Sequence, residues 1–449
     1  MSFHFNCFSK ACVKSREYSS ALIGRALAIA VFSLPSIACI AEPLSLSDAQ
    51  RRAVQRSHLL VAQDAGITAS REMAVAAGQL PDPVLKFGID NLPIEGSDGF
   101  SLTRESMTMR RIGLMQEVTR ADKREFKSER YRREADKADA ERNQSLAAIE
   151  RDTALAWLDR YHNEAMSTAI AEQAQQAKLE IDAAESAYRS GRVSQSDLIA
   201  ARTALALVED RASEIARRLR TAKTVLMRWV GDAASSPLSS PPDTGVLGLH
   251  AKAVEDHVKS HPEIVALSRQ EAVAAIDAQL AKANKRADWT WEVAFQQRGP
   301  AFSNMISVGV SIPLQWDQKN RQDREVASKL AMIEEARARR EEAQRMHVAE
   351  IRSTLDEWEN GVQRRARYER ELLPLAAQRT LAVVAAYRGG KATLGEVFGA
   401  RRGEAEMRLQ ALQLDLEVAR LWAQLSFIVP GGALPSGATP ESKPVQELK

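Results

Sequence analysis

The stretch AYRSGRVSQSDLIAAR at residues 187–202 recurs as AYRGGKATLGEVFGAR at residues 386–401. In each copy a long helical pattern stops at a glycine, Gly191 or Gly390, and a second helical pattern begins a few residues later. A glycine after the last helical turn supplies the left-handed backbone conformation that ends a helix. Each copy therefore predicts the tip of a helical hairpin, and the chain is predicted to be a tandem duplication.

The composition is typical of long helices packed side by side. The 449 residues are 45% hydrophobic but only 5% aromatic, with long tracts rich in Ala, Glu, Arg and Gln. The formal net charge of +3 resides in the N-terminal segment described next, which holds four basic residues and one acidic residue. Once that segment is removed, charge gives no indication of nucleic-acid binding.

Residues 1–41 predict a secretory signal peptide. An apolar run follows Arg25 and is too short for a comfortable transmembrane helix. The four residues ending at Cys39 resemble a lipoprotein cleavage box, which makes Cys39 a candidate lipidation site; ordinary cleavage after Ala41 is the alternative. At most one cysteine stays in the mature chain, so no disulfide framework is expected.

The first repeat is predicted to span residues 42–231. It opens with a helix, continues with a strand pair within 84–118, and then enters a stretch without Pro or Gly. About 70 such residues make a helix on the order of 100 Å long at 1.5 Å per residue. This helix ends at the tip, residues 188–197, and a return helix completes the repeat.

The second repeat is predicted to follow in the same order over residues 250–429, after a Ser- and Pro-rich linker at 232–249. Its strand pair lies within 289–313 and its tip at 387–396. The tail at 430–449, rich in Pro, Gly and Ser, is expected to be disordered.

Two helix details are predicted from local signals. Ser47 and Gln50 have the spacing of a capping box, which places the start of the first helix at Ser47. Pro374 is expected to kink the second long helix because its ring removes a backbone hydrogen bond.

The four predicted strands are amphipathic, and two tryptophans, Trp289 and Trp291, lie at one end of the third strand. The strands are long enough to cross a bilayer when tilted. Open strand edges are not tolerated in hydrocarbon, and four strands cannot close a barrel. Three copies would supply a closed barrel of twelve strands, four from each chain. The alternative is a set of ordinary half-buried strands in a soluble domain.

The duplicated Tyr-x-x-Gly-x5-Asp/Glu-x4-Arg tips, the strand pairs between helices and the signal peptide resemble the TolC family of outer-membrane efflux channels, over essentially the whole mature chain. Segments at residues 80–84, 91–94 and 107–117, with Lys123 and Arg124, resemble the branch that serves heavy-metal RND tripartite pumps of the cobalt-zinc-cadmium or copper-silver kind.

This resemblance implies a mostly α-helical homotrimer with a membrane part of β-structure: a twelve-stranded β-barrel in outer-membrane lipid, continuous with a long α-helical barrel in the periplasm. Tyr188, Gly191, Tyr387 and Gly390 would dock a periplasmic adaptor, also called a membrane fusion protein. An inner-membrane RND transporter would supply the energy. The channel itself would be a passive conduit without catalytic residues or cofactors.

Asp197 and Glu396 are candidates for acidic rings at the periplasmic entrance, where crowded negative charges attract cations. Arg202 and Arg401, with the tip tyrosines, are candidates for contacts that hold neighbouring hairpins shut. The alternative is that the acids stabilise the first turn of each return helix through its dipole and that the arginines are surface neighbours. Glycines flank Glu396, which predicts a more flexible restart in the second copy.

Other functions fit the sequence less well. His257 and His261 have the i,i+4 spacing of a metal-binding pair, but Pro262 disrupts the helix there and no metal site is expected. No phosphate loop, nucleophile elbow or metalloprotease helix is present, so an enzyme is not expected. Two alternatives stay open: an outer-membrane channel for drug efflux or type I secretion, and a periplasmic coiled-coil structural or adaptor protein.

Overall fold

The computed structural model describes residues 42–247 and 254–428. The predicted signal peptide with Cys39, the end of the predicted linker and the predicted tail lie outside these residues. The described residues belong to one structural unit that begins at Glu42. The predicted fold class, mostly α-helical with a small β part, is confirmed.

The described residues of the first half form four α-helices and two strands. In order they are α1 Leu46–Gln55, α2 His58–Ala77, β1 Val84–Asp90, β2 Met109–Val118, α3 Ala121–Arg189 and α4 Gln195–Val230. Helix α3 has 69 residues, which at 1.5 Å per residue spans about 100 Å. It therefore places the sheet and the first hairpin tip at opposite ends of a long rod.

The second half follows a similar order. Its elements are α5 Val254–Lys259, α6 Pro262–Ala283, β3 Trp289–Gln297, β4 Met305–Ser311, α7 Gln322–Arg367, α8 Leu373–Arg388 and α9 Leu394–Ser426. A π-helical turn at Tyr368–Leu372 joins α7 to α8. Widened turns of this kind accommodate a proline that cannot donate a backbone hydrogen bond, and Pro374 lies two residues after this turn.

The start of the first helix differs from the prediction. The N-cap is Ser45, whose Oγ accepts a hydrogen bond from the Asp48 N–H at 3.1 Å, so the predicted Ser47–Gln50 capping box is wrong. Gln50 instead donates to the Glu150 carbonyl on α3, at 3.0 Å. The single predicted helix is also divided in two, because Ser57 caps a second helix immediately after α1 ends.

The four strands form one antiparallel sheet in the order β1-β2-β3-β4. Pairing of β2 with β3 joins the strand pairs of the two repeats, with Ile112 opposite Phe295. No strand among the described residues pairs with the outer edges of β1 and β4. The sheet therefore presents two open edges within one chain.

The helical core surrounds α3. Trp157 and Leu158 are fully buried against Leu226 of α4, and the Trp157 Nε1–H donates to the Leu44 carbonyl at 3.0 Å. Gly361 lets α7 approach α9, because a Cβ at this position would lie 2.8 Å from Val418 Cγ2. Among the described helices, none is both long enough and apolar enough to cross a membrane.

Candidate functional site at the hairpin tips and the sheet

The two hairpin tips have the same backbone geometry. Gly191 and Gly390 both adopt φ +69°, a left-handed conformation that favours glycine. At the first tip the Gly191 N–H donates to the Tyr188 carbonyl at 2.9 Å, and at the second the Gly390 N–H donates to the Tyr387 carbonyl at 3.0 Å. The duplication seen in the sequence is therefore a duplication of turn structure.

The acid of each tip belongs to a capping box. The Ser194 N–H donates to Asp197 Oδ2 at 2.9 Å, and the Thr393 N–H donates to Glu396 Oε2 at 2.6 Å. Each cap hydroxyl in turn accepts from the backbone N–H of the acid. Hydrogen bonds from Ser194 lower the pKa of Asp197, and hydrogen bonds from Thr393, first from its backbone, lower the pKa of Glu396.

These capping boxes give the two acids a local role in starting α4 and α9. Both carboxylates are fully exposed and carry negative charge at neutral pH. They are thus available for electrostatic attraction of cations as well as for capping, and the acidic rings stay a prediction about the assembled channel.

The two candidate arginines have different surroundings. Arg202 Nη2 lies 2.8 Å from Glu185 Oε1, an exposed pair across the first hairpin. Burial raises the pKa of the Glu180 carboxyl on α3. The positive charges of Arg401 and Arg402 on α9 are close enough to oppose that rise. Arg401 therefore faces the first hairpin, whereas Arg202 pairs within it.

The tips pack side by side through an apolar contact. Phe398 of α9, just after the second tip, is buried with Ala184, Leu198 and Ala201 of the first hairpin. The tyrosines Tyr188 and Tyr387 are both partly exposed, at 44% and 42%. Phe398 and Glu180 were not predicted site residues, because nothing local in the chain shows that the two hairpins touch.

The sheet has one charged face and one apolar face. On the charged face, Lys86 Nζ lies 2.8 Å from Glu292 Oε2, and Arg111 Nη2 lies 2.9 Å from Glu292 Oε1. The opposite face is apolar and exposed: Phe87 at 75% and Ile306 and Val308 at 73% each. A soluble single chain rarely exposes such a continuous apolar face.

A histidine cluster lies where the sequence analysis expected no metal site. His261, the N-cap of α6, packs against His347 of α7 with ring centroids 4.1 Å apart and ring planes tilted by 32°. His347 Nε2 lies 3.1 Å from Glu263 Oε2. Burial, with a smaller effect of the charge of His347, lowers the pKa of His261 to about 4. The cluster was missed because His347 is distant in sequence, and His257 is not part of it.

Sequence comparisons find no matching protein-family model and no matching curated protein. Solved structures do match. The outer membrane protein VceC from Vibrio cholerae is 18% identical with a TM-score of 0.70, over 86% of this chain and 96% of that one. CusC is 13% identical with a TM-score of 0.71, over 86% and 92%. The Campylobacter jejuni CmeC outer membrane channel is 11% identical with a TM-score of 0.67, over 87% of each chain. At these identities the likeness shows the fold.

Proposed function

We propose that this chain belongs to the TolC family and is one subunit of a homotrimeric outer-membrane efflux channel. The observation that carries the proposal is the sheet with one exposed apolar face and one charged face, at the far end of α3 from the hairpin tips. The channel would be a passive, non-enzymatic exit duct from the periplasm. A periplasmic adaptor and an inner-membrane RND transporter would deliver its cargo and supply the energy.

The sheet supports a membrane location for physical reasons. In the described chain its exposed apolar side chains alternate with polar ones, as lipid-facing and water-facing residues alternate in a membrane barrel. The unpaired edges of β1 and β4 would leave backbone groups without partners in hydrocarbon. Pairing β4 of one copy with β1 of the next removes both edges, and three copies would close a barrel of twelve strands.

The tips support the proposal for the periplasmic end. Tyr188, Gly191, Tyr387 and Gly390 lie at exposed turns, where an adaptor could reach them without disturbing the buried core. Glu396 and Asp197 would add negative charge near the same end. Arg401 would connect the two hairpins at the entrance, whereas Arg202, paired with Glu185 in this chain, would brace its own hairpin.

Heavy-metal cations are the cargo we propose. Resemblance of the segments around β1 and β2 to the heavy-metal branch supports this cargo, as do the ionised acids at the tips. The likeness to VceC, CusC and CmeC is of similar strength and does not distinguish between cargoes, so an outer-membrane channel for drug efflux or type I secretion is the second candidate. A periplasmic adaptor protein is disfavoured, since it has no use for the apolar face of the sheet.

Growth of a deletion strain tests the proposal and its cargo together. The strain is grown on graded zinc, cobalt, cadmium, nickel, copper and silver, beside a panel of detergents and antibiotics. Sensitivity confined to particular metals, reversed by the intact gene but not by a gene lacking residues 387–396, is the expected result. Sensitivity to organic compounds alone would contradict the metal cargo and keep the channel. Unchanged growth on every compound would contradict efflux itself.

A further inference from the structure

We propose that His261, Glu263 and His347 bind a divalent transition-metal ion, with zinc the best match, between α6 and α7. This inference goes beyond the proposed efflux function, because the ion would be a resident part of the protein and not its cargo. Two imidazoles and a carboxylate are the ligand set that zinc uses in sites that keep a fourth position for water. Magnesium and calcium prefer oxygen ligands and would bind poorly here.

The distances among the three side chains suit a metal site after a small adjustment. One ligand atom from each residue lies within 4.8 Å of the others, and His347 Nε2 is 3.1 Å from Glu263 Oε2. In a tetrahedral site with bonds of about 2.0–2.1 Å, ligand atoms lie about 3.4 Å apart. The longest edge of the set must therefore contract by up to about 1.4 Å. The Glu263 side chain is 36% exposed and is free to rotate by that amount.

The surroundings of His347 are those of a metal ligand. Its side chain is only 11% exposed, and its second ring nitrogen, Nδ1, lies 3.5 Å from Glu350 Oε2. Metal-binding histidines commonly hold the outer ring N–H against a carboxylate, which orients the ring and raises its basicity. Glu263 at one nitrogen and Glu350 at the other reproduce that arrangement.

The backbone also fixes the second histidine. His261 caps α6 and is followed by Pro262 in the first turn, so its position is set by the helix start. The same proline that argued against a His257–His261 pair therefore helps to hold His261 towards α7. A cavity beside the cluster, lined by Arg151, Thr354 and Glu350, leaves room for a water molecule as the fourth ligand.

An ion at this place would join the start of α6 to the middle of α7. Because a folded chain presents the three ligands together and an unfolded chain does not, bound zinc is expected to stabilise the folded protein. A histidine pair in ring contact, with Glu263 and Glu350 as carboxylate partners, would account for the same contacts without a metal, and the experiment distinguishes the two.

Isothermal titration of zinc chloride into the full-length protein, purified in detergent and stripped with a chelator, tests the site. We expect one zinc ion per chain. Replacement of an outer-shell partner lowers affinity by about 10–100-fold, so loss of a direct ligand in His347→Ala or His261→Ala should lower it by about 100-fold or more. The matched control is His257→Ala, which removes a histidine of the neighbouring helix α5 and should change affinity by less than about twofold.

Glu263→Gln controls for loss of zinc binding through misfolding, because it keeps the shape of the side chain and removes only its charge. It should lower zinc affinity by at least about tenfold and leave the thermal midpoint without zinc unchanged. The absorption spectrum of bound cobalt(II) should show tetrahedral coordination in the wild type and in His257→Ala but not in His347→Ala.

Three results would overturn the proposal: no zinc binding by the wild type, wild-type affinity in His347→Ala, or an equal loss in His257→Ala. Because binding is measured on the isolated protein, these results are independent of the growth experiment. Zinc binding can fail while metal efflux is present, and the reverse can also occur.

Discussion

Replacing Val308 by lysine is expected to block assembly of the channel in the outer membrane. Val308 lies at the middle of β4 on the apolar face, opposite Val293 of β3, and is 73% exposed in the single chain. If that face meets lipid, a lysine near the bilayer midplane costs about 2–4 kcal/mol per chain. Three copies in one trimer raise the cost to about 6–12 kcal/mol.

The same substitution has a different effect in a soluble protein. An exposed side chain outside special features usually changes stability by about 0.5 kcal/mol or less when it is replaced. The two accounts of the sheet therefore differ by several kcal/mol at one residue, and that difference exceeds the error of an unfolding measurement.

Ser307→Lys is the matched control. Ser307 is the preceding residue on the same strand, lies opposite Ala294, and belongs to the face that carries Lys86 and Glu292. In a membrane barrel this face lines the water-filled interior, so the new lysine stays hydrated and should be tolerated.

The assay has two parts: the amount of trimer in the outer-membrane fraction, and urea unfolding of the purified protein in phospholipid vesicles. We expect Val308→Lys to reduce assembled protein severely and Ser307→Lys to leave it near the wild-type level. Normal assembly of Val308→Lys, with or without a defect in Ser307→Lys, would refute the assignment of the apolar face to lipid.

Four further predictions concern the helices. Ser194→Ala removes the hydroxyl of the first capping box and should destabilise the start of α4 by about 1 kcal/mol, seen as faster amide hydrogen exchange in its first turn. The carboxylates of Asp197 and Glu396 have lowered pKa values in the folded chain, so their contribution to stability is fully present above their ordinary pKa values of 3.8 and 4.5. That contribution is lost as the pH falls from these values through the lowered ones. The same exchange experiment in acid should therefore show faster exchange at both helix starts. Gly390→Ala should cost about 1–2 kcal/mol because of the positive φ, whereas Gly399→Ala, in an open helical position, should be neutral or stabilising in thermal unfolding. Trp157→Ala should cost about 3–5 kcal/mol in chemical unfolding, since it empties a fully buried site and removes one of two donors to the Leu44 carbonyl, which keeps the Ser239 N–H at 3.2 Å.

Features set by local signals were predictable from the sequence. Glycine at positions 191 and 390 ends a helix independently of the rest of the fold, because the turn itself needs a left-handed residue. The length of α3 is predicted by the absence of Pro and Gly from its sequence. The alternation of apolar and polar residues predicts β3 and β4 as strands of a sheet with one apolar and one polar face. These elements appear within a few residues of their predicted positions.

Features set by tertiary contacts were not predictable. The break between α1 and α2 depends on which of several nearby serines caps a helix, and the sequence favoured Ser47 where the structure uses Ser45 and Ser57. The pairing of Glu263 with His347 joins residues on two helices separated by a strand pair. Nothing in either segment alone indicates that contact, and the local i,i+4 spacing instead pairs His261 with His257.

The most direct test of the central claim is the mass of the intact particle extracted from the outer-membrane fraction. Native mass spectrometry in detergent should give three copies of the chain per particle, with none in the soluble periplasmic fraction. A single chain recovered from the soluble fraction without detergent would contradict the proposed channel and would favour the periplasmic adaptor instead.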